Sequence, residues 1–114
     1  MLEPVILESP YKGDMEVNAA YAKRCMLDSL ARGEAPFVSH LLYTQVLDDT
    51  RPRERKTGME AGWAWIGLTR KTVVYQDYEM SDGMLEGIRR AKELGHDVEY
   101  RNIGKNDVEK LQGL

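Results

Sequence analysis

The sequence predicts an α/β protein of three layers, with a four-stranded, mostly parallel sheet in the order 2-1-3-4 between helices. Three observations predict it. Short apolar or β-branched runs alternate with longer segments of helical period. Glycines, at Gly33 and Gly95, follow two of those segments as helix stops. The connections are too long for hairpins and suit right-handed crossovers, which make neighbouring strands parallel and bury both faces of the sheet.

The elements follow in order. Val5-Ile6-Leu7 is a buried first strand that ends in the loop Ser9-Pro10-Tyr11-Lys12-Gly13-Asp14, where Asp14 is placed to cap a helix. From Met15 to Arg32 the residues Ala22, Cys25, Met26 and Leu30 fall on one helical face. Ala35 to His40 reads as the second strand, and Leu41 to Thr50 as a longer connection. A second helix is expected from about Pro52 to Leu68, with Met59, Gly62, Trp63 and Ile66 on its buried side. Trp65 lies about 200° around that helix from Trp63, so one indole must face another part of the chain or a second subunit. Thr72-Val73-Val74-Tyr75, β-branched and aromatic, is the third strand. A third helix runs from about Ser81 to Leu94, and Val98-Glu99-Tyr100 is the fourth strand. The whole reads as one flavodoxin- or Rossmann-like domain over residues 1–103, followed by a polar tail over 104–114 with room for one helical turn.

Composition excludes several classes. A chain of 114 residues with 42% hydrophobic and 31% charged residues is one ordinary globular domain. Its net charge of −3 and pI of 5.4 leave no basic face to track phosphates, so no nucleic-acid partner is expected. No apolar run approaches the roughly 20 residues that cross a bilayer, and no signal-peptide pattern opens the chain, so a cytoplasmic protein without a membrane partner is expected. One cysteine and two histidines build neither a disulfide framework nor a zinc cluster. No metal or cofactor is expected, and Cys25 reads as a small buried hydrophobe.

In the order 2-1-3-4 the connections reverse direction between the first and third strands, and ligands of such sheets bind at the carboxyl ends of the strands there. That puts Ser9-Pro10-Tyr11 beside Gln76-Asp77, with the start of the Ser81 helix nearby. The Tyr11 ring can stack on a base or its hydroxyl bond a ribose; it can also simply pack the loop. Glu8 ends the first strand and points either into the cleft or to solvent. His40 ends the second strand, as a ligand contact, a general acid or a plain structural histidine. Asp77, two residues beyond Tyr75, is the leading carboxylate for sugar hydroxyls. Ser81 and Gly83 suit a helix start whose free N–H groups favour an anion, although Asp82 adds like charge. Arg55 can neutralise a phosphate from the long connection.

The combination Ser9-Pro10-Tyr11, Asp77 and Ser81-Asp82-Gly83-Met84 ahead of a helix resembles the nucleoside 2-deoxyribosyltransferase-like superfamily. Its small members common in bacteriophages are the nearest likeness. Pro36 to His40, Leu47-Asp48-Asp49, Gly58 to Gly62 and Val98 to Arg101 extend the resemblance over residues 4–101. It implies cleavage of the N-glycosidic bond of a deoxynucleoside or deoxynucleotide by a glutamate that attacks the anomeric carbon. It also implies an aspartate near the base, whose nearest match is Asp77. The implied nucleophile lies four residues beyond Gly83, and that position is Gly87. Glu86 is no substitute, because the helical turn carries the two positions to different faces. Counted around the helix from Met84, Gly87 falls at about 300°, beside the sheet-facing stripe, and Glu86 at about 200°, toward water.

The expectation is therefore a protein that binds a nucleoside or nucleotide derivative without the standard nucleophile, through Ser9, Pro10, Tyr11, His40, Arg55, Asp77, Ser81, Gly83 and Met84. It would sense or sequester that ligand, in the host cytoplasm if phage-encoded. An active N-glycosidase or deoxyribosyltransferase that uses Glu8 or Asp77 is the alternative, and a non-catalytic assembly role a third. The resemblance further implies a homodimer or larger homo-oligomer, built on the Pro52–Leu68 helix.

Overall fold

The computed structural model describes residues 1–104. Four parallel strands, β1 (Glu3–Glu8), β2 (Glu34–Phe37), β3 (Lys71–Tyr75) and β4 (Asp97–Arg101), form one sheet in the order β2-β1-β3-β4. The four main helical segments are α1 (Met15–Ala31), the short α2 (Ser39–Leu42), α3 (Pro52–Ala64) and α4 (Asp82–Glu93). The tail expected over 104–114 lies, from residue 105, outside the described residues.

Strand alternation sorts the side chains into two cores. Val5, Leu7, Val73 and Tyr75 meet Tyr21, Ala22 and Cys25 of α1 on one face. Ile6 meets Ile66, Ala91 and Trp63, and Val74 meets Met84 and Ile88, on the face covered by α3 and α4. Local chemistry sets the helix limits. The Asp14 carboxylate accepts from the N–H groups of Glu16 and Val17, and Ser81 Oγ accepts from Met84 N–H. Gly33, with φ of 86°, turns the chain after α1.

Three expectations need correction. β2 ends at Phe37, and His40 lies in α2, beyond the strand. On α1, Leu30 is exposed, whereas Ser29 is fully buried because its hydroxyl donates to Glu34 at 2.8 Å. The helix from Pro52 stops at Ala64, and Ile66–Leu68 continue as a single 3-10 turn. Both indoles find partners within the chain. Arg90 lies 3.7 Å over the ring of Trp63, while Trp65 stacks on Phe37 at 4.8 Å and donates to the Tyr43 hydroxyl.

The α1 face also carries a buried ionic network. Arg101 grips Glu34 with two 2.7 Å bonds, Lys71 stands 3.2 Å from the same carboxylate, and Tyr75 donates to Asp28. Burial works against the charge on Glu34, yet the bonds from Arg101, Ser29 and Lys71 outweigh it and hold the carboxyl at about 2. Because Glu34 opens β2 and Arg101 closes β4, the pair ties the two outer strands together.

Candidate functional site

A cleft opens at the carboxyl ends of β1 and β2, on the α3/α4 side of the sheet, with a cavity of about 110 Å³. This is somewhat less than the ~150 Å³ site that takes up a benzene ring in another protein, so the inner part suits one small ring. Glu8, Ser9 and Tyr11 form its β1 wall, His40 and Tyr43 its top, and Asp49, Arg55 and Trp63 the α3 side. Ser81, Gly83 and Met84 bring in the start of α4.

Of the residues expected at the site, Glu8, Ser9, Tyr11, His40, Arg55, Ser81, Gly83 and Met84 line this cleft together, while Pro10 and Asp77 do not. Asp77 faces the opposite side. Two residues beyond Tyr75, it keeps the alternation that turns Tyr75 toward α1. Its carboxylate accepts from the Tyr21 hydroxyl at 2.5 Å and from the N–H groups of Ile103 and Gly104. Burial opposes its charge, but the bonds from Tyr21, Gly104 and Ile103 prevail and hold the carboxyl below the usual range. Asp77 pins the segment after β4 to the sheet.

Glu8 obeys the same alternation with the opposite result. It follows Ile6 onto the α3/α4 face, and its carboxyl enters the cleft against α4. Among the described residues neither oxygen has a hydrogen-bond or ion-pair partner. Burial without a compensating charge pushes this carboxyl up to about 8, so it is mostly neutral at pH 7. The chain makes room for it with Gly87. A methyl carbon on Gly87 would overlap Oε2 of Glu8 and stand 3.0 Å from Cδ. Glu86, by contrast, points outward and is held by Arg89 and Arg90.

Around Glu8 the polar groups are ordered. Ser9 Oγ and His40 Nε2 lie 3.0 Å apart, and the Tyr11 ring packs on the His40 ring at 5.0 Å. Burial lowers His40 to about 4, so the imidazole is neutral at ordinary pH and the Ser9–His40 bond is one between uncharged groups. Burial also raises the Tyr11 phenol, with a smaller push from the Asp49 charge. Arg55 donates to Asp49 at 3.3 Å and is half-exposed at the cleft mouth, where an anionic group can compete for it. The Ser81 hydroxyl is spent on the α4 cap, which leaves the backbone around Gly83 as that helix's contribution. Sequence reasoning missed Trp63, Tyr43 and Asp49 as cleft residues. Tyr43 and Asp49 arrive from the α2–α3 connection, whose path no periodicity predicts. Elsewhere, Cys25 is fully buried and its thiol is pushed up to about 12, mainly by that burial.

Among the described residues no group of histidine, cysteine, aspartate and glutamate is arranged to hold a metal ion, and no helix is long and apolar enough to cross a membrane. The family described as a domain of unknown function, DUF7768, matches residues 3–101, and the chain belongs to that family. No curated protein matches it. Among solved structures it is similar to a 2-deoxyribosyltransferase from the psychrotolerant bacterium Bacillus psychrosaccharolyticus, described as a biocatalyst for nucleoside synthesis. The TM-score is 0.65 at 14% identity, over 90% of this chain and 74% of that chain. At that identity the likeness is one of fold.

Proposed function

We propose that this member of the DUF7768 family binds a nucleoside or nucleotide derivative in the cleft at the carboxyl ends of β1 and β2, beside the start of α4. The observation that carries the reading is the wall shared by Glu8, Tyr11 and the start of α4. One unpaired carboxyl, one aromatic ring and the first turn of α4 at Gly83 border a cavity of about 110 Å³ there. A furanose ring fits the inner space, its hydroxyls meeting Glu8. The base lies against Tyr11 and Trp63, and a phosphate, where there is one, sits at the mouth by Arg55. The fold shared with a 2-deoxyribosyltransferase supports the nucleoside class. Glycine at position 87, where the resemblance implies the attacking glutamate, favours a protein that retains the pocket without that nucleophile.

Calorimetry with a panel of nucleosides, nucleotides, cyclic nucleotides and NAD derivatives tests the reading. At least one is expected to bind, and Tyr11→Ala is expected to weaken it by about tenfold, the loss of one stacking contact. Absence of heat and of any thermal shift across the panel would remove the proposal.

A further inference from the structure

Residues 8 and 87 compete for one volume, and the chain gives it to the carboxyl of Glu8. An alanine at 87 would overlap that carboxyl where it now lies, and the strand parity of β1 turns Glu8 to the α4 side of the sheet. The position is unfavourable for an acid. The other deeply set glutamate, Glu34, is compensated by Arg101, Lys71 and Ser29, whereas Glu8 has no partner among the described residues. Gly87 also sits inside α4, where alanine would be better by about 1 kcal/mol. Two unfavourable choices at adjoining positions, each explained only by the other, mark a group kept for chemistry and not for packing.

We infer that Glu8 is the general acid of this cleft, delivering a proton to the base of a bound nucleoside or nucleotide as its N-glycosidic bond breaks, with Gly87 seating the carboxyl. The inference rests on the nucleoside reading above and goes beyond binding. The proton passes from the Glu8 carboxyl to a ring nitrogen of the base, and the electron pair of the C–N bond leaves with the base. Water adds to the electron-poor anomeric carbon and returns its proton to the Glu8 carboxylate. The sum is N-glycoside plus water giving free base plus sugar, with no oxidant, metal or covalent intermediate. A carboxyl that is neutral at pH 7 suits proton donation and is a poor nucleophile. The other titratable groups on the cleft are His40, Tyr11, Tyr43, Asp49, Glu54 and Arg55; α4 contributes none. His40 is neutral above about pH 5, and Arg55 is paired with Asp49.

The protein is incubated with 2′-deoxyadenosine, thymidine and their 5′-monophosphates between pH 5 and 9, and free base is measured by chromatography. Base release from at least one is expected, level at lower pH and declining as the pH rises through about 8. Glu8→Gln is expected to cut it by about 100-fold or more while calorimetric affinity changes only a few-fold. Gly87→Ala, which evicts the carboxyl, is expected to show the same loss, and Glu86→Ala none. Should Gly87→Ala not fold, Glu8→Gln decides. Binding of a probe without base release, or unchanged release by Glu8→Gln, overturns the inference and leaves the nucleoside reading standing. Absence of binding removes both.

Discussion

Replacing Glu8 by glutamine makes the ligand-free protein more stable, by an amount that grows with pH. In the unfolded chain the Glu8 carboxyl ionises near 4.5, and in the folded chain near 8. Between those values the folded state holds a proton that the unfolded state has released. Folding therefore weakens as the pH rises through that window, by up to about 1.4 kcal/mol for each pH unit. The sign is the reverse of the common carboxylate case, in which a paired acid stabilises the fold above its unfolded pKa. At pH 7 about 2.5 units of the window have been crossed, which amounts to about 3 kcal/mol, or about 2 kcal/mol once the open side of the cleft is allowed for. Glutamine carries no charge at any pH, so its own packing changes add only a constant. Urea denaturation of both proteins at pH 5, 6, 7 and 8 reads the difference directly, and other titrating groups cancel. The expected gap is smallest at pH 5 and is wider by about 2 kcal/mol at pH 7. A gap that stays constant, or a wild type that gains on the variant as pH rises, would show that Glu8 is hydrated or paired, and the general-acid role would go with it.

Two further outcomes separate structural from functional acids. Asp77→Asn turns one acceptor into a donor facing N–H groups of the Ile103–Gly104 segment and is expected to cost about 2 kcal/mol in urea denaturation at pH 7. Since the folded pKa of Asp77 is depressed, its stabilising effect is present at neutral pH and lost as the medium is acidified, and nucleoside affinity should be unchanged. Arg101→Ala removes both guanidinium bonds to Glu34, which is exposed by only 5% and keeps Lys71 and Ser29 alone, and is expected to lose about 3 kcal/mol. A loss below about 1 kcal/mol by denaturant titration, the level of an exposed pair, would refute the tie between the outer strands.

The fold was legible because the signals for it are local and periodic. Thr72 to Tyr75 is β-branched and aromatic over one strand length, Asp14 and Ser81 are caps, and the alternation of strands and helices admits few topologies. The errors lie where local preference yields to tertiary contact. Ser39 and His40 follow an apolar run and read as strand, yet the chain turns there into α2, which forms the roof of the cleft. Leu30 reads as core by its chemistry, but Ser29 takes the buried place because a carboxylate at the start of β2 needs a donor. The path of residues 41–50, and hence the entry of Tyr43 and Asp49 into the cleft, has no period to read.

The two carboxylates at strand ends show how far parity alone would have gone. Ile6 and Val74 belong to one face, Val5, Leu7, Val73 and Tyr75 to the other, and counting by twos sends Glu8 to α4 and Asp77 to α1. Judged by residue type and by position at a strand tip, the pair are equivalent candidates; judged by parity, only one faces the helix whose N-terminus frames the cleft. What no count in a single chain reveals is that the glycine inside α4 and the glutamate at the end of β1 belong together. Each in isolation reads as a weak choice, a helix-breaking residue in one place and an uncompensated acid in the other. In space they are one device: removal of a side chain at 87 is the condition for the carboxyl at 8. A variant in which both are exchanged, Glu8→Ala with Gly87→Glu, moves the carboxyl from strand to helix without crowding the cavity. It is therefore better tolerated in thermal denaturation than Gly87→Glu alone, which forces two carboxyls into the volume of one.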